Sequence, residues 1–125
     1  MSGSPTDVEV RDAEVCVVGA GAHGLAVVTH LMTASPSLRG RIVVRDPTGC
    51  WLQRWREQFA RLEIDVLRPP GVHHPGGGPG ALAQHIGEHG LPRSALPYDP
   101  PLTPTFDSYC NELTAESSIA DLPTA

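Results

Sequence analysis

Residues 14 to 24 read Glu-Val-Cys-Val-Val-Gly-Ala-Gly-Ala-His-Gly, and this stretch decides the fold. The apolar run from Val15 to Val18 is typical of a strand buried on both faces of a parallel sheet, which would also bury Cys16. Three glycines follow with the spacing Gly-x-Gly-x-x-Gly, and an apolar helical stripe then continues until Pro36 ends it. The order of strand, glycine turn and helix predicts the first half of a dinucleotide-binding βαβ unit.

Each glycine of this turn has a physical role in cofactor binding. Gly19 permits the tight turn, Gly21 leaves room for a pyrophosphate against the backbone, and Gly24 lets the helix pack close to the sheet. Ala20 and His23 lie within the same turn, at the N-terminus of a helix whose free N–H groups attract phosphate. The turn is therefore expected to bind the ADP half of FAD or a nicotinamide cofactor, with S-adenosylmethionine or no ligand as alternatives.

An acidic residue ends the second predicted strand of the unit. Asp46 lies 22 residues after Gly24, where a carboxylate can accept hydrogen bonds from the adenosine ribose hydroxyls. An acid at this position disfavours a 2′-phosphate. The context of strand, turn, helix, second strand and acid makes the glycine motif specific.

The predicted fold class is α/β, a Rossmann-like βαβ that is truncated and followed by a half rich in proline and glycine. We expect residues 1 to 12 to be disordered, residues 13 to 116 to form the N-terminal part of an FAD/NAD(P)-binding domain, and residues 117 to 125 to form a disordered tail. Periodicity predicts strands and helices, with Thr105 as the N-cap of the last helix. The strands are 13 to 18 and 41 to 45, and the helices are 22 to 34, 50 to 62, 81 to 89 and 106 to 115.

Composition excludes several classes of partner. The net charge is −5 and all nine basic residues are arginine, so a nucleic-acid footprint is not expected. No segment has the length and apolar character of a signal peptide or a membrane span, and three cysteines with no Cys-x-x-Cys spacing suit a reducing compartment. We expect a cytoplasmic protein, and the arginine, alanine and glycine content suggests a bacterium with a GC-rich genome.

Several segments together resemble one family of flavoproteins. They are Val15 to Gly24, Asp46 to Leu52, Leu67-Arg68-Pro69-Pro70 with His73-His74-Pro75, Tyr98 to Pro101, and Phe106 to Cys110. This set resembles the flavin-dependent monooxygenases of the lysine/ornithine N-hydroxylase type. It is most similar to the FAD/NAD(P)-binding proteins grouped with urate hydroxylase and aspartate N-monooxygenase. The likeness covers residues 13 to 113.

The resemblance implies a cofactor and a reaction. In such enzymes the first glycine motif binds FAD, which would assign Gly19, Gly21 and Gly24 to its pyrophosphate and Asp46 to its ribose, with Trp51 beside the cofactor. NAD(P)H would reduce the flavin, and oxygen would be transferred to the nitrogen or carbon of a small-molecule substrate. No catalytic residue is identified in this chain, because the flavin supplies the difficult chemistry.

Family members are several hundred residues long and contain a second glycine motif, so we expect this chain to be an N-terminal portion that is inactive alone. A small non-catalytic dinucleotide-binding or regulatory module is the alternative. The resemblance makes His73 and His74 possible cofactor or substrate contacts, and Arg68 is a further candidate for binding a phosphate or carboxylate.

His85 and His89 have an i, i+4 spacing that can hold a metal ion. No carboxylate or cysteine clearly completes such a set in the sequence, so no metal is expected. The two histidines are expected to decorate a short helix whose apolar face is Leu82 and Ile86.

Overall fold

The computed structural model describes residues 12–68 and 74–125 as a mixed α/β fold. Three parallel strands form one sheet in the order β1-β2-β3, and four α-helices occur among the described residues. The elements are β1 (Val15–Val18), α1 (Ala22–Ala34), a 3-10 turn (Pro36–Leu38), β2 (Ile42–Arg45), α2 (Gln53–Arg61), α3 (Ala81–His89), α4 (Thr103–Glu116) and β3 (Pro123–Thr124). The predicted βαβ arrangement is confirmed, since β1 and β2 pair in parallel with α1 between them.

The two faces of β1 differ in burial within the described chain. Val15 and Val17 pack with Ile42 and Val44 against the core that α1 contributes to. The alternate side chains of β1, Cys16 and Val18, are exposed, and Val18 keeps 85% of its surface accessible. The prediction that β1 is buried on both faces is therefore wrong, because β1 is an edge strand whose outer face no described helix covers.

Helix α2 is shorter than predicted because the chain turns sharply before it. Leu52 adopts a left-handed conformation with φ 58°, which ends the preceding turn and lets the helix begin at Gln53. Trp51 and Leu52 are buried ahead of the helix rather than within it. On the helix itself, the Trp55 ring packs against the Phe59 ring, with a distance of 4.4 Å between ring centroids.

Helix α3 has the predicted bounds, whereas α4 begins three residues earlier than predicted. The helix starts at Thr103 with Leu102 at its N-cap and a proline in its first turn, where the fixed φ of proline suits a helix. Thr105 is consequently inside α4 and buried, and it does not cap the helix as predicted. The hydroxyl of Thr103 instead donates to the Ile64 carbonyl at 2.7 Å, which joins the start of α4 to the segment after α2.

The predicted disordered tail, residues 117 to 125, is ordered and belongs to the core. Ile119 and Leu122 are buried, and β3 extends the sheet by pairing Pro123 with Val44 of β2. The indole Nε1 of Trp51 donates to the Ile119 carbonyl at 2.7 Å. Two buried apolar side chains and one buried hydrogen bond thus hold this segment against the rest of the protein.

One cluster of buried side chains joins the sheet to the helices. Its members come from the turn after β1, from α1 and β2, from the segment before α2, from α3 and α4, and from residues 119 to 122. In the part of the chain that the structure describes, no helix has both the length and the apolar character needed to cross a membrane.

Candidate functional site

The glycine turn after β1 is fixed by backbone hydrogen bonds on both sides. Gly19 has φ +102°, a conformation that residues other than glycine rarely adopt. Its N–H donates to the Arg45 carbonyl at 2.8 Å. The Ala20 carbonyl accepts from the Leu52 N–H at 2.7 Å. The turn is therefore held between the end of β2 and the segment that leads into α2.

Gly24 is required by close packing. A Cβ atom at this position would lie 2.2 Å from the Gly19 carbonyl oxygen, far inside van der Waals contact. The close approach predicted for the third glycine of the motif is thus confirmed. It brings the first turn of α1 directly over the glycine turn.

Gly21 has the opposite surroundings. A Cβ atom built there would meet no protein atom within 4 Å, so the backbone faces open space. Gly21 is also the N-cap of α1, which has no side-chain cap and no acidic residue in its first turn. The first N–H groups of a helix have no acceptor within the helix, and together with the helix dipole they favour an anionic group.

Asp46 binds the glycine turn through its carboxylate. Oδ1 accepts from the Ala20 N–H at 3.0 Å, and Oδ2 accepts from the backbone N–H and the hydroxyl of Thr48. The hydrogen bond from the Thr48 hydroxyl, and then that from the Ala20 N–H, hold the pKa of Asp46 below its usual value of 3.8. Asp46 is therefore ionised and placed at the carboxyl ends of the strands, where its contact with a ribose stays a prediction.

A cavity of about 330 Å³ opens beside this turn. Its walls are the glycine turn, Asp46 and the start of α2, and they include Gly19, Gly21, Ala22, Arg54 and Gln58. Arg54 is exposed and was not among the site residues predicted from the sequence. No local pattern marked it, because its place in the wall depends on how α2 folds back towards the turn.

A second cavity of about 330 Å³ adjoins the first and shares Ala22 and Trp55 with it. His23 and His74 line this second cavity. Pro75 and Phe106 are also in its wall, so its lining is mostly apolar.

The remaining predicted contacts have different environments. Trp51 is 5% exposed and is a core residue, and the aromatic side chain in the wall of the glycine-turn cavity is instead that of Trp55. Arg68 is exposed. His73 lies outside the described residues.

His74 contacts several backbone groups of the glycine-rich segment that follows it. Its Nε2 accepts from the Leu82 N–H at 3.4 Å, and its Nδ1 lies 3.2 Å from the Pro75 carbonyl. The ring also packs edge-on against Tyr109, whose hydroxyl donates to the same Pro75 carbonyl at 2.8 Å. His74 therefore has a structural role in the turn that leads to α3, besides lining the cavity.

The histidine pair of α3 differs from the expectation of two surface residues. His85 is buried with 5% of its surface exposed, whereas His89 is exposed. Both approach a carboxylate oxygen of Glu112 on α4. The carboxylate that was not assigned from the sequence is thus that of Glu112, which lies 23 residues beyond His89 in the chain.

Comparisons with protein-family models, with curated proteins and with solved structures found no match for this chain.

Proposed function

We propose that the glycine turn binds the ADP half of FAD, as part of a Rossmann-like FAD/NAD(P)-binding domain. The observation that carries this proposal is the contrast between two glycines of one turn. Gly24 has no room for a side chain, while Gly21 faces open space at an uncapped helix N-terminus. A turn that only connected a strand to a helix would have no need of an open, uncapped N-terminus.

The surrounding residues fit a dinucleotide. The backbone at Gly21 and Ala22 would hold the pyrophosphate, the carboxylate of Asp46 would accept hydrogen bonds from a ribose, and Arg54 would add a positive charge. A cavity of about 330 Å³ is near the lower end of ligand sites, so it would enclose only part of the cofactor. When bound, the flavin would supply redox chemistry, and these residues would position it.

The same proposal extends to the reaction. The sequence resemblance supports the proposal that the chain is the FAD-binding N-terminal segment of a cytoplasmic, NAD(P)H-dependent monooxygenase. Such an enzyme would hydroxylate a small molecule. NAD(P)H would be a co-substrate of that enzyme. His23 and His74 line the cavity that adjoins the glycine-turn cavity, which makes them the first candidates for further cofactor or substrate contacts.

The test is FAD binding by the purified chain, measured from flavin absorbance after desalting and from the change in flavin fluorescence on titration. Gly21→Asp places a carboxylate against the expected pyrophosphate without a steric conflict in the protein. Repulsion of several kcal/mol between like charges should weaken FAD binding by at least about 100-fold. Gly80→Asp is the matched control, since Gly80 also has open space at its Cβ position but lies at the start of α3.

Binding of FAD by the parent chain and by Gly80→Asp, but not by Gly21→Asp, would support the proposal. Equal binding by all three proteins would place the flavin elsewhere. Binding of S-adenosylmethionine instead of FAD, or of neither ligand, would overturn it.

A further inference from the structure

Three potential metal ligands converge between α3 and α4. His85 and His89 lie one helical turn apart on α3, and Glu112 faces them from α4. One ligand atom from each of the three residues lies within 4.8 Å of the other two. A single ion can therefore contact all three side chains with small rotations of the side chains.

The contacts of His85 favour a ligand role for its Nδ1 atom. Its Nε2 lies 3.0 Å from the Ser108 hydroxyl, a contact that can hold the proton on Nε2 and leave the Nδ1 lone pair facing Glu112. Nδ1 is buried and makes no hydrogen bond of good geometry within the described chain, although it touches Glu112 Oε2. Metal-binding histidines characteristically donate their second ring N–H to a neighbouring group in this way.

The three ligands also have the right accessibility. His85 is buried and packs edge-on against Tyr109, while His89 and Glu112 reach the surface. An ion could thus enter from solvent and keep an open coordination position. Nitrogen from two imidazoles with one carboxylate oxygen is a ligand set that suits Zn²⁺ and related divalent transition ions rather than Mg²⁺ or Ca²⁺.

We propose that His85, His89 and Glu112 form a binding site for a divalent transition-metal ion of the Zn²⁺ type, which joins α3 to α4. None of these residues is in the walls of the glycine-turn cavity. The site is therefore independent of the proposed flavin function. Its failure would not affect that function.

The experiment is titration of the full chain with Zn²⁺ in competition with a chromophoric chelator, and with Co²⁺ followed by its visible absorbance. We expect one ion per chain. Losing the exposed ligand in His89→Ala should weaken binding by about 100-fold or more, and losing the supporting contact in Ser108→Ala by about 10-fold or more. His30→Ala is the matched control, because His30 is an exposed histidine on α1.

Glu112→Gln gives a second test that keeps side-chain size, and it should weaken Zn²⁺ binding as His89→Ala does. Far-ultraviolet circular dichroism of each variant without metal verifies that the helices are retained. Equal Zn²⁺ affinity of the parent chain, His89→Ala and Glu112→Gln would overturn the site. A greater loss from His30→Ala, or no binding by the parent chain, would overturn it as well.

Discussion

The two candidate sites, at the glycine turn and between α3 and α4, both involve a helix. The first is formed mainly by backbone atoms and the second by side chains. At the turn, three glycines leave the backbone accessible, and backbone N–H groups form most of the site. Between α3 and α4, three side chains from distant positions converge, and the backbone serves only to present them. A site formed by the backbone of one turn can therefore be predicted from a local sequence motif. A site formed by side chains from two helices depends on tertiary packing.

Glycine substitutions provide the strongest test of this difference. Gly24→Ala should destabilise the protein by about 2 kcal/mol or more, because its Cβ would collide with the Gly19 carbonyl. Gly87→Ala on the exposed side of α3 meets no atom within 4 Å, and it should stabilise the protein by about 0.5–1 kcal/mol. Urea denaturation of the two variants measures both values. Similar effects at the two positions would show that α1 does not pack on the turn as described.

The reactivity of the three cysteine thiols should also differ between the region around the glycine turn and helix α4. Cys16 on β1 and Cys50 before α2 are exposed, whereas Cys110 on α4 is 1% exposed and burial raises its pKa to about 12. We expect two of the three thiols to react rapidly with a disulfide reagent at neutral pH. Cys110 should react on the order of a hundredfold more slowly, because reaction requires opening of the core. Cys110→Ser should leave the rapid phase unchanged, and loss of that phase would contradict the description.

The smallest expected effect concerns the carboxylate that joins β2 to the glycine turn. Asp46→Asn should cost about 1 kcal/mol at neutral pH through weaker hydrogen bonds to Ala20 and Thr48. Because the pKa of Asp46 is lowered in the folded state, its contribution is present above pH 3.8 and is lost as the pH falls below that value. The parent chain should therefore lose stability more steeply in this acidic range than Asp46→Asn does.

Thermal midpoints measured between pH 3 and pH 7 test that slope. Asp121→Asn is a suitable control, since Asp121 is an exposed residue near the end of the chain. An identical acid dependence of Asp46→Asn and the parent chain would show that the carboxylate does not hold the turn.

The sequence was sufficient to predict those features whose conformation depends on a short stretch of residues. The three glycines, the parallel pairing of β1 with β2 and the bounds of α3 all follow from short-range signals. Trp51 and Arg54 show the limit, because one lies in the core and the other in a cavity wall as a result of the left-handed turn at Leu52. Glu112 could not be assigned to the histidines from sequence, since only the packing of α3 on α4 brings them together.

The pairing of β3 with β2 also has a consequence for the order of folding. The hydroxyl of Thr124 accepts a hydrogen bond from the side chain of Arg45, which lies 79 positions earlier in the chain. Closing so long a loop is entropically costly, and such non-local pairing forms slowly compared with local structure. During synthesis on the ribosome, β1, α1 and β2 emerge well before β3. The edge of β2 that pairs with β3 therefore remains unpaired in the nascent chain, where it can bind chaperones or another strand until β3 has been synthesised.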